Sequence, residues 1–208
     1  MRTLIIVGVA NTLTAAICFR FSRLAYRITL LSVSHDRDQR WLEQVHLAGC
    51  DVNLIVCDPH DPSALKKSLQ MHRAEPPTIL VLMGSSATQQ WLMQDGLSPG
   101  LPSCERIIFI QNKSEERSCF EKNAVANPSA DMTLNTIRIG HIGTSEQYGE
   151  NTEVDLNPFN DEPPSLDMLS KRSGLPYEVA VLAAFLASDE TAHIDGAVID
   201  VHSGRYFS

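Results

Sequence analysis

The feature that most constrains this chain is a repeated alternation. Short, largely apolar runs are separated by stretches in which apolar residues recur at helical spacing. Leu4 to Val7 is such a run and stops at Gly8, as expected of a strand covered on both faces. Leu13, Ala16, Ile17, Phe21 and Leu24 then follow at helical intervals. Further strands are expected at 28–33, 52–57, 78–83, 106–110, 134–139 and 197–201. Trp41, Leu42, Val45 and Ala48 mark a second helix. Asp61-Pro62 starts a third, a capping residue followed by proline at the first helical position, with Leu65 and Leu69 on its apolar side. Val179, Leu182, Ala183 and Leu186 share one face of a last helix over 176–187. The pattern predicts an α/β fold, a Rossmann-like doubly wound parallel sheet of about seven strands. The 208 residues suit one domain spanning 1–208. Residues 85–104 are weakly patterned, and Asn127-Pro128 ends any helix begun after residue 114. Segment 144–173 is polar and acidic, contains Pro158, Pro163 and Pro164, and reads as a long surface loop.

Charge and cysteine usage narrow the partners. Seventeen basic against 25 acidic residues leave a net charge of −8, which argues against nucleic acid or an anionic membrane. No run approaches the roughly 20 apolar residues of a membrane-spanning helix. The apolar start Leu4–Val7 is too short for a secretory segment and is followed by a glycine turn. Five cysteines, an odd number with no C-x-x-C pair, suit a reducing, cytoplasmic setting. The seven histidines show no metal-binding spacing, and no Gly-x-Ser-x-Gly elbow is present, so neither a metal site nor a serine nucleophile is expected. Lys66-Lys67 reads as an ordinary helix face, and Cys119 lies in a polar stretch with no partner base marked by sequence.

The densest signal lies near the end, in Leu175-Pro-Tyr-Glu-Val-Ala-Val-Leu-Ala-Ala-Phe-Leu-Ala-Ser-Asp-Glu190 and His193-Ile-Asp-Gly-Ala-Val-Ile-Asp-Val-His-Ser-Gly204. This resembles the C-terminal end of the short-chain dehydrogenase/reductase (SDR) family. The resemblance is dense over 175–204, moderate over 1–84 and weak over 85–173, and the chain is shorter than is typical of the family. It implies that this end packs across a twofold subunit contact. Val179, Leu182, Leu186, Val198 and Val201 are the expected contact residues, together with the aromatic tail residues Tyr206 and Phe207.

The residues that the same family uses for chemistry are missing. Its nucleotide loop is Thr-Gly-x-x-x-Gly-x-Gly, where glycines let the backbone approach the pyrophosphate at a helix N-terminus. This chain reads Val7-Gly8-Val9-Ala10-Asn11-Thr12-Leu13-Thr14, so only Gly8 remains, and Thr12 and Thr14 stand in place of glycines. Asp58 and Asp61 resemble the family's Asp-x-x-Asp segment, and both also suit a turn and a helix cap. The fourth strand ends Val81-Leu82-Met83-Gly84 instead of Asn-Asn-Ala-Gly. The family's acid is a tyrosine with lysine four residues later. None of Tyr26, Tyr148, Tyr177 and Tyr206 has that lysine. Asn112 falls near the position of the catalytic serine; Ser114 and Lys122 have no tyrosine to serve.

Gly8, Thr12, Thr14, Asp58 and Gly84 are therefore expected to be degenerate remnants that bind no cofactor, and no catalytic residue is expected. The resemblance implies a non-catalytic subunit beside an intact SDR partner that carries NAD(P), or self-assembly. Heteromeric members of this kind pair active with inactive subunits, the hydroxyacyl-CoA dehydrogenase type of the benzylsuccinate pathway among them. An active oxidoreductase with an atypical site and a stand-alone ligand-binding or regulatory module are the alternatives.

Overall fold

The central strands form because their apolar runs can be covered from both sides at once. The computed structural model describes residues 2–32, 35–58, 61–71, 79–83, 104–112, 132–140, 142 and 174–202. In chain order these give β1 (Thr3–Val7), α1 (Thr12–Ser22), β2 (Arg27–Ser32), α2 (His35–Leu47), β3 (Val52–Val56), α3 (Pro62–Met71), β4 (Ile79–Met83), β5 (Arg106–Asn112) and β6 (Thr133–Ile139). After them come α4 (Pro176–Leu186), a single 3₁₀ turn (Asp189–Thr191) and β7 (Val198–Val201). All seven strands join one parallel sheet in the order β3-β2-β1-β4-β5-β6-β7. The order reverses between β1 and β4, the switch point at which doubly wound sheets open a crevice beyond the strand ends.

Alternation along each strand divides the core. Leu4 and Ile6 of β1 face one layer with Ile28, Leu30, Val81, Ile108 and Ile137, covered by α1, α2 and α4. Ile5 and Val7 face the other layer with Leu31, Leu80, Leu82, Ile107 and Phe109, where α3 adds Leu65 and Leu69. Every residue of β1 is buried, as expected at the centre of the sheet. At about 25 cal/mol per Å² of apolar surface, such enclosed side chains each stabilise the fold by roughly 1.5–3 kcal/mol. At one sheet edge, β7 alternates between exposed and half-buried positions.

Residues 144–173, Gly84, Ser114, Cys119, Lys122, Tyr148, Tyr206 and Phe207, singled out above, lie outside the described residues.

Candidate functional site

The turn between β1 and α1 is the place where this fold would hold a phosphate. Here the chain fills it with its own atoms. Asn11 is extended and caps α1, its side-chain oxygen accepting the Thr14 amide at 2.8 Å. The Thr14 hydroxyl lies 2.6 Å from the Val9 carbonyl, to which it donates, and 3.0 Å from Asn11 Oδ1. From α2, Trp41 Nε1 donates to the Asn11 carbonyl at 3.1 Å, so two helices grip one residue. Trp41 is fully buried, as are Thr12 and Thr14 within 1%. Because the Asn11 cap sets the helix start at Thr12, both threonines lie inside the first helical turn and not in a glycine-type loop. Both bring side-chain bulk to that turn, and the Thr14 hydroxyl hydrogen-bonds within it.

Close packing of the backbone demands a glycine at position 8. A Cβ there would come within 2.8 Å of the Met83 carbonyl oxygen and 3.0 Å of Met83 Cβ. Its amide donates to the Leu31 carbonyl at 3.0 Å, so β1, β2 and β4 converge on it. Beyond β3, Asp61 Oδ1 accepts the Ser63 amide at 2.9 Å and caps α3. The Asp58 carbonyl accepts the Asp61 amide at 3.1 Å, while its side chain is exposed. Asn112 closes β5 in register with Ile139.

The C-terminal end is built with comparable care. Pro176 opens α4, and the Glu178 carboxylate accepts the Leu175 amide at 2.9 Å. That contact turns the one acidic side chain of the helix back on its own terminus. Val179 and Leu186 are fully enclosed by the chain, chiefly in the layer shared with α1. Leu182 and Val201 are half-buried and Val198 is 43% exposed. Any outward contact of the helix therefore passes from Val179 and Leu186 to the partly covered Tyr177 and Val181 and to Phe185, at 48% exposure the most open large apolar residue of α4. Sequence reasoning did not single out Phe185, because nearly every position of α4 is apolar and the period alone does not decide which side faces out.

After α4 the chain is pinned at several points. The Thr191 hydroxyl lies within 3.1 Å of the carbonyls of Phe185, Leu186 and Ser188. Asn135 of β6, 1% exposed, donates to the Ile194 carbonyl at 2.7 Å and accepts the Ala197 amide at 3.0 Å. Asp195 accepts the Leu134 amide at 2.8 Å. Gly196 takes φ +67° at this bend, a conformation that glycine adopts without cost. Arg138 then forks onto both oxygens of Asp200 at 2.6 and 2.8 Å, tying β7 to β6 in the bidentate geometry that favours arginine. The register Thr136↔Val198 to Ile139↔Val201 follows.

The electrostatics bear on structure. Arg2 Nη2 donates to both carboxylate oxygens of Asp189 and Nη1 donates to the Tyr26 hydroxyl at 3.3 Å; these two partners, Tyr26 first, hold its guanidinium more strongly protonated than usual. Tyr26 in turn meets Phe21 edge to face at 5.1 Å. Burial pushes the Cys18 and Cys50 thiols up, and raises Cys104 to about 12. Such thiols are poor nucleophiles. Among the described residues no cluster of three or more histidine, cysteine, aspartate or glutamate side chains could hold a metal ion, and no helix is long and apolar enough to cross a membrane.

Comparison with known proteins agrees with this architecture. No protein-family model and no curated protein matches the sequence. Solved structures do match. A short-chain dehydrogenase/reductase from Serratia marcescens superposes with a TM-score of 0.64 at 20% identity, over 98% of this chain and 97% of that one. BdcA, solved in complex with NADPH, gives 0.67 at 18% identity over 98% and 94%. A short-chain type dehydrogenase/reductase from Mycobacterium ulcerans gives 0.72 at 14% identity over 98% and 89%. With seven parallel strands in this order and neighbours matched nearly end to end, the chain has the fold of the short-chain dehydrogenase/reductases.

Proposed function

We propose that this chain is a non-catalytic, SDR-fold subunit that supports an intact SDR partner in a hetero-oligomeric dehydrogenase or reductase. One observation carries the reading: the turn after β1 is closed by Asn11, Thr14 and Val9 upon themselves. A pyrophosphate at this place needs free backbone donors and small residues. The Thr14 amide is already taken, and Thr12 and Thr14 supply bulk. BdcA, of the same fold, is solved in complex with NADPH; the filled turn and the missing Tyr-x-x-x-Lys pair support the reading that this chain holds no such cofactor. NAD(P) and the catalytic residues then belong to the partner, and the complex would work in the cytoplasm. The contact is assigned to the outward side of α4 and the β7 edge, where Tyr177, Val181, Phe185 and Val198 are left uncovered in whole or in part.

Three measurements test this. Calorimetric titration of the isolated chain with NADH and NADPH should show no dissociation constant below roughly 10 μM; tighter binding overturns the reading. Co-expression with an intact SDR from the same source should give a hetero-oligomer by size-exclusion light scattering, which Phe185→Asp weakens. A well-behaved monomer that ignores the partner removes the subunit role. In the assembled complex, Asn112→Ala, Ser114→Ala, Lys122→Ala and Tyr148→Phe should each leave turnover within a few-fold. A loss of the order of 10³ in any of them, with assembly intact, would restore the enzyme reading.

A further inference from the structure

We draw no further inference here: the strongest candidate, the outward apolar side of α4 formed by Tyr177, Val181 and Phe185, belongs to the contact already proposed, and nothing in the structure shows what else would cover it.

Discussion

Two turns of this molecule are each fixed by one asparagine, and the outcomes differ. After β1, Asn11 satisfies the start of α1 from within and leaves the turn filled. Before β7, Asn135 reaches from the neighbouring strand to both sides of a bend and fixes where the edge strand begins. Both devices satisfy backbone groups that would otherwise need water or a ligand. The first is local, spanning three residues, and ties the turn to its own atoms. The second spans about sixty residues and preserves the end of the sheet. On the reading proposed above, architecture and ligand capacity are separable in one fold, the former kept without the latter.

The sharpest way to break this comparison is Asn135→Ala. It deletes two hydrogen bonds and leaves the Ile194 carbonyl and the Ala197 amide unpaired. A loss of about 2–4 kcal/mol is expected in urea unfolding, with cleavage of the β7 end under limited proteolysis. A change under about 0.5 kcal/mol, the range of an ordinary surface substitution, would mean that the bend holds without its anchor.

Gly8→Ala comes next. Its Cβ would press on a backbone oxygen, which cannot swing aside as a flexible side chain would. The expected cost is about 1–3 kcal/mol, read from the same unfolding curves. A neutral result would return Gly8 to the role of a phosphate-loop remnant. Asn11→Ala should cost about 1 kcal/mol through the lost cap, while Asn11→Ser keeps most of the stability. Neither should bring NAD(H) binding into the micromolar range, because Thr12 and Thr14 remain. An effect no larger is expected at the second turn's glycine. Open space surrounds the Cβ position of Gly196, so Gly196→Ala should cost only the left-handed backbone, about 1 kcal/mol, and Gly196→Asn less. Equal costs for alanine and asparagine would show that φ is not what this position demands.

How much could be read beforehand depended on how local each cause was. The strands expected at 28–33 and 134–139 lie at Arg27–Ser32 and Thr133–Ile139. Both carry the β-branched and leucine residues that mark a largely buried strand despite polar interruptions, Thr29 in the first and Asn135 and Arg138 in the second, and the period leaves the ends uncertain by one residue. Asp61-Pro62 announced α3 correctly for the same local reason. Asn11 carried a readable cap signal just before the helix period, although reading the segment against the glycine loop drew attention to Thr12 and Thr14 instead. Trp41 donating to the Asn11 carbonyl, and Asn135 reaching Ile194 and Ala197, had no local trace, since each joins distant parts of the chain. The inward side of α4 was equally hidden. Its period marks Val179 and Leu186 as apolar, but only packing against α1 decides that they are enclosed while Phe185 is not.

The position of β1 has a consequence for how the chain is made. It lies between β2, which follows directly, and β4, whose Ile79 pairs with Leu4 only after β2 and β3 have been synthesised. On the ribosome, the first three strands can assemble early, but one side of β1 stays unpaired until β4 emerges. An apolar strand edge waiting in that way is the kind that joins other chains. Slow synthesis through residues 57–79 should therefore favour aggregation, and a chaperone should be needed most in that interval.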